Sequence, residues 1–192
     1  MAATVRVRAA VLAAAVGVSL VGAAMWSSSR ANDDVTPDAV LDEPGVYQEP
    51  SGATNPPLPT DQLPELTLSD AAGGPVELRS DGRPMVVNLW FSTCAPCAEE
   101  LTEFAEVDAD VGEQVRFIGV NPFDTPAAMT RFAADRGVTY ELLRDPSESL
   151  GQALDVAAYP VTLFVAADGT ILAETGTMSG DTLRKRIEVL FP

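Results

Sequence analysis

The chain has 192 residues, 46% of them hydrophobic, with 28 acidic against 12 basic side chains and a net charge of −16. That length holds one well-buried domain with some chain left over, and so acidic a balance argues against nucleic acid or an anionic membrane face as a partner. No histidine occurs, which excludes Cys-His and Ser-His-Asp catalysis and His-ligated zinc, copper or haem.

The N-terminus carries Arg6 and Arg8, and then no charge from Ala9 to Ser29. The apolar stretch Ala9–Trp26 is longer than an ordinary signal-peptide core and just short of the ~20 residues that span a bilayer. Arginines before it and acidic sequence after it put the N-terminus inside and the rest outside, with Trp26 at the outer interface. Residues 1–30 are therefore expected to form a transmembrane signal-anchor; a cleaved signal peptide, processed near Ser29 or Ala31, is the alternative. No cysteine follows the span, so no lipid attaches there. Residues 31–63, rich in Pro, Asp, Glu and Thr, bury too little to fold and read as an extended acidic tether.

From Pro64 onward the pattern is that of a folded domain, 64–192. PELTLSDAAGGPVELRS predicts two short strands around a Gly-Gly turn. MVVNLWF is a continuous apolar run, as a strand covered on both faces requires. Ala95 to about Val111 has helical spacing, with Leu101, Phe104, Ala105 and Val107 on one side. VRFIGVN predicts a second buried strand, and Pro126–Arg136 a helix closed by Gly137. VTYELL follows as a short strand, and Ser147–Leu154 as a short serine-capped helix. VTLFVAADGTILAETG predicts a hairpin turning at Asp168-Gly169, and Asp181 is expected to N-cap a last helix through Leu190. The order ββ, βαβα, βαββα predicts an α/β fold, a mixed sheet with helices on both faces.

The only two cysteines, Cys94 and Cys97, lie in WFSTCAPCAEE. Structural zinc wants four Cys/His ligands and the chain offers two, so no metal or other cofactor is expected. An inert disulfide closing so small a loop would stabilise by only about 2 kcal/mol. Placement favours redox chemistry instead. Cys94 ends a buried strand where a helix begins, so its sulfur meets unpaired N–H groups and the positive end of the helix dipole. Such a site favours thiolate. Cys97, one turn further in, is expected to be less exposed and placed to resolve a mixed disulfide on Cys94; Pro96 suits the first turn.

VVNLWFSTCAPCAEE, with GVN downstream, AYPVTLFVAADG later and a final amphipathic helix, resembles the thioredoxin-fold family of membrane-tethered thiol-disulfide oxidoreductases. The likeness is to the TlpA/ResA-like branch, whose members include reductases for cytochrome c maturation, and it covers Pro64–Pro192. The resemblance implies a thioredoxin-like fold, with Cys94 attacking and Cys97 resolving through a redox-active disulfide. It implies that Trp90 lies beside that disulfide in the substrate-binding region. It also matches Pro160 to the cis-proline facing the active site, which leaves the backbone of Tyr159 free to pair with an incoming peptide strand. The implied partners are protein thiols and disulfides and a membrane thiol reductant or oxidant, with the redox domain on the extracytoplasmic side.

The departures from the family pattern inform as well. Asn88 stands where cytosolic thioredoxins carry a buried aspartate, and asparagine cannot take a proton. Glu100 matches a glutamate that the ResA-like branch uses near its cysteines, so it is the candidate base; the plain alternative is a helix-dipole partner. Thr93 replaces a second tryptophan. Ala95-Pro96 between the cysteines leaves the direction of electron flow open. A reductase is favoured by the branch; a disulfide-donating oxidase using the same residues, or a binding module with a fixed disulfide, are the alternatives. A thiol peroxidase would want threonine where Phe91 stands.

Overall fold

All five residues of MVVNL, strand β3 (Met85–Leu89), are buried. A strand with apolar side chains on both parities needs cover on both faces, and the rest of the chain supplies it. The computed structural model describes residues 55–192. The expected membrane-spanning segment and residues 31–54 of the tether lie outside the described residues; among those described, no helix is long and apolar enough to cross a membrane.

The elements follow in the order β1 (Leu66–Ser69), β2 (Pro75–Leu78), β3, α1 (Ala95–Val111), β4 (Arg116–Asn121), α2 (Pro126–Ala134), β5 (Glu141–Arg144), α3 (Ser149–Ala153), β6 (Val161–Val165), β7 (Ile171–Thr175) and α4 (Gly180–Leu190). They build one seven-stranded sheet in the order β2-β1-β5-β4-β3-β6-β7. β3, β4 and β5 are parallel, and β6 and β7 continue the sheet antiparallel beyond β3. The sheet is mixed, as expected, and the fold is thioredoxin-like.

Register decides which face each side chain serves. Met85, Val87 and Leu89 share one core with Ile118, Leu163 and, from α3 and its C-cap, Leu150 and Leu154. Val86, Phe117 and Phe164 point the other way, onto Phe104 and Val107 of α1 and Leu183 and Ile187 of α4. A third cluster joins Trp90, Cys97 and Leu101 to Met129 and Ala133 of α2.

Four boundaries differ from expectation. The folded part begins before residue 64: Leu63 is buried in the core and donates its N–H to the Gly169 carbonyl at 2.9 Å, while the Asp61 carbonyl accepts from Ile171 at 2.7 Å. β5 starts at Glu141 rather than Val138, because the Val138 N–H is already engaged by the Ala133 carbonyl in the cap that closes α2. Ser179, not Asp181, caps α4, its hydroxyl accepting from Thr182 N–H at 3.3 Å, with Asp181 in the first turn.

α3 lacks the expected serine cap. Its cap position is Glu148, held at φ 55° with no capping side chain. Asp145, buried at the end of β5, does the work from outside. Its carboxylate accepts from Ser149 N–H (2.9 Å), Ser149 Oγ (2.7 Å), Leu150 N–H (2.8 Å) and Ser147 Oγ (3.1 Å). A five-residue helix has no stability of its own, so this carboxylate sets where α3 begins. Asp145→Ala is expected to destabilise the domain by about 2–4 kcal/mol through lost caps and orphaned donors, as read by urea denaturation; a loss below about 0.5 kcal/mol would show that α3 does not need it.

Candidate active site

β3 is followed by a tight connection, Trp90–Thr93, that delivers Cys94 to the N-cap of α1. The Trp90 N–H still bonds the Val120 carbonyl of β4 at 3.0 Å, and the Cys94 N–H turns back to the Phe91 carbonyl at 3.2 Å. Cys94 has extended backbone (φ −82°, ψ 107°), its sulfur accepts the Cys97 N–H at 3.3 Å, and proline occupies the first turn. A sulfur thus takes the place of the oxygen that usually caps a helix. Cys94 and Cys97 form a disulfide. Exposure ranks them as expected, with Cys94 retaining 7% and Cys97 none. Cys94 is more buried than expected.

Trp90 is fully buried. Its indole stacks on Phe132 of α2 at 5.8 Å, and the Arg136 guanidinium lies 3.5 Å above the other ring's centroid while donating to the Ala98 carbonyl of α1 at 3.2 Å. Trp90 therefore packs beside the disulfide, in one buried cluster with both cysteines, and has no exposed surface of its own. Gly119 makes room for it: a Cβ there would fall 2.7 Å from the indole nitrogen.

Asn88 and Glu100 meet behind the cysteines. Asn88 Nδ2 donates to Glu100 Oε1 at 2.9 Å and to Thr162 Oγ1 of β6 at 3.0 Å; Glu100 Oε2 accepts the Met178 N–H at 3.2 Å. Glu100 is 2% exposed and lies one helical turn beyond Cys97, on the same face of α1. Burial pushes its pKa from 4.5 up to about 8, against the pull of the Asn88 and Met178 hydrogen bonds, and the nearby Glu103 charge adds to the rise. Tyr140 stays protonated for the same reason, its pKa raised by burial and by the charges of Glu100 and Asp108.

The rim is aromatic. Phe91, Phe123 and Tyr159 meet edge to face, with centroids 5.0 to 5.6 Å apart. Phe91 and Tyr159 pack on the cluster that holds both cysteines, and Phe123 is half exposed. The Tyr159–Pro160 bond is cis. Among the described residues no hydrogen bond takes up the Tyr159 N–H or carbonyl. Burial and the charges of Glu148 and Asp145 push the Tyr159 hydroxyl up to about 12.

Asp124 is a site residue that the sequence reasoning missed. Its carboxylate accepts from the Ser92 N–H at 2.7 Å, from the Ser92 hydroxyl and from Asn121 Nδ2 at 2.7 Å, tying the loop after β4 to the turn before Cys94. Asn-Pro-Phe-Asp-Thr-Pro is legible as a turn-forming run, but nothing in it says which distant amide its aspartate reaches.

The sequence profile of the AhpC/TSA family matches residues 59–174. The chain belongs to that family. It is 32% identical over 174 residues to the thiol:disulfide interchange protein HelX of Rhodobacter capsulatus, covering 88% of each chain. It is 26% identical over 132 residues to the thiol-disulfide oxidoreductase ResA of Bacillus subtilis, covering 67% of this chain and 74% of that one. Among solved structures it is similar to a secreted Mycobacterium tuberculosis disulfide oxidoreductase homologous to E. coli DsbE, at a TM-score of 0.59 and 26% identity over 65% of this chain and 96% of that one. Its enzyme class is thiol-disulfide oxidoreductase.

The buried carboxyl sets a pH dependence. A folded-state pKa raised above the unfolded value means stability fully present below about pH 4.5 and lost as pH rises through about 8. The oxidised protein is expected to lose on the order of 3–4 kcal/mol between pH 5 and 9 on this account, and Glu100→Gln to abolish most of that slope. Equal slopes for the two proteins in pH-dependent denaturation would contradict it.

Proposed function

We propose that the chain is an extracytoplasmic, membrane-tethered reductase of protein disulfides, with cytochrome c maturation the setting that the branch resemblance favours. The observation that carries it is the Cys94–Cys97 disulfide capping α1, beside the uncommitted backbone of Tyr159. A substrate strand pairs along that backbone and rests on Phe91 and Phe123. The cis-proline, Pro160, follows directly.

The cycle begins from the dithiol. Cys94 thiolate, stabilised by the first-turn N–H groups, attacks one sulfur of the substrate disulfide; the other sulfur leaves as thiolate, and a mixed disulfide joins Cys94 to the substrate. Cys97 gives its proton to the Glu100 carboxylate and attacks Cys94 Sγ. The Cys94–Cys97 disulfide forms, and the second substrate sulfur leaves. Two electrons have passed to the substrate. A membrane dithiol then reduces the pair, since the extracytoplasmic space has no soluble reducing pool. Glu100 fits its part because a carboxyl of pKa about 8 exchanges protons near neutral pH. The N-terminal apolar segment supplies the membrane anchor.

The reduction potential of the Cys94–Cys97 couple decides the direction. A value of about −270 mV or below is expected of a reductant, and one near about −120 mV would make the chain a disulfide donor. Cys97→Ala is expected to accumulate a stable mixed disulfide on Cys94 that mass spectrometry resolves into its partners; a pair resisting mild reductant, with no adduct from the variant, would mean a fixed structural bridge.

A further inference from the structure

The first described residue of the tether meets the loop that presents Tyr159. Asn55 Oδ1 accepts the N–H groups of Ala157 at 2.7 Å and Ala158 at 2.8 Å, and its Nδ2 donates to the Ala158 carbonyl at 3.1 Å. One carboxamide thus satisfies three backbone groups on two consecutive residues, with the donor-and-acceptor pattern of a peptide bond. Nothing else among the described residues takes up those three groups. The loop between α3 and β6 has no regular structure of its own. Asp155 sits at φ 54°, and the other anchors of the stretch are the Asp155 N–H on the Gln152 carbonyl at 3.4 Å and the Val156 N–H on the Gly151 carbonyl at 2.9 Å. Tyr159 is the next residue, packed on the disulfide cluster and edge to face with Phe91 and Phe123.

The segment from Asn55 into β1 is itself well held. Leu58 and Leu63 belong to the sheet core, and Gln62 Nε2 bonds Thr170 Oγ1 at 3.1 Å in the β6–β7 turn. Asn55 is therefore fastened at its C-terminal side to the sheet, and its side chain transmits that anchorage across 103 positions of sequence to the Ala157–Ala158 peptide groups.

We propose that Asn55 is a positioning residue for substrate docking: it fixes the Ala157–Ala158 backbone, and through it the peptide edge and ring of Tyr159 beside Cys94. The inference rests on the proposed reduction of peptide disulfides at that edge. Losing Asn55 frees the loop to sample other conformations, so an incoming strand must order it on binding. The cysteines, held by β3, α1 and Asp124, keep their geometry.

The test compares wild type with Asn55→Ala and with Gln62→Ala, which loosens the same segment without touching the loop. Two oxidants are followed under steady turnover with dithiothreitol, each corrected for the rate without protein: a synthetic ten-residue peptide with one internal disulfide, and the small, slowly reacting hydroxyethyl disulfide. Asn55→Ala is expected to raise KM for the peptide about fivefold, the equivalent of one net hydrogen bond. Its kcat, its rate with the small disulfide and its Cys94 alkylation rate should stay within twofold of wild type. Gln62→Ala should change none of these. An unchanged peptide KM in Asn55→Ala overturns the inference. So does a fall in alkylation and small-disulfide rates matching the loss with peptide, since the residue would then be serving the general fold. If wild type itself turns over the small disulfide but never the peptide, the docking edge fails and this inference with it; if wild type turns over neither, the oxidoreductase reading fails first.

Discussion

The opening N–H groups of an α-helix have no acceptor within the helix, and in this chain one of them is directed at a cysteine sulfur. Cys94 caps α1, and the Cys97 amide points at it. Other features of the site preserve that contact. The five buried residues of β3 fix where the strand must end. Trp90 fills the space beneath the disulfide and leaves no room for the junction to sink. Asp124 clamps Ser92 from the neighbouring loop, so the turn before the cysteine cannot drift. A helix end that is electropositive stabilises a thiolate.

A dithiol mechanism also has to move a proton, and a chain without histidine has few groups to do so near pH 7. In the proposed cycle that group is Glu100, whose carboxyl is held toward its neutral form by burial. Glu100 fits between α1 and the sheet because Asn88, Thr162 and the Met178 amide give its environment hydrogen bonds. Two of these bonds favour the charged form; burial outweighs them. The cost is borne by the fold at alkaline pH. A buried carboxyl of raised pKa a single helical turn from Cys97 supports the proton-transfer role proposed for it.

Much of this was legible in the sequence, and for identifiable reasons. Apolar runs such as MVVNL and RFIGV can be satisfied only inside a sheet, so the strands and their burial follow from composition alone. Glu100 was singled out by the family resemblance alone; the structure places it on the buried side of α1 with Leu101 and Phe104, while Glu99 is exposed. Local capping was less legible. Ser147 and Asp181 looked like caps, but Asp145 and Ser179 hold those positions, since several polar residues near a helix start compete and tertiary placement decides among them. Contacts across long stretches of sequence were not legible at all. Asn55 on Ala157 and Ala158, and Asp124 on Ser92, join ordinary loop residues whose partners are set by how the sheet brings distant segments together. The partner of Trp90 followed the same rule: its place beside the disulfide was implied by the family resemblance, but not that Phe132 of α2 would stack on it.

The proposed chemistry depends on the state of one sulfur in the reduced protein. Titration of the Cys94 thiolate by its absorbance near 240 nm, in Cys97→Ala so that a single thiol contributes, measures it directly. A midpoint at least one unit below the ~8.5 of an ordinary thiol is predicted by a sulfur held at the helix N-terminus. A midpoint at or above that value would show that burial outweighs the helix end and that Cys94 is not primed for exchange.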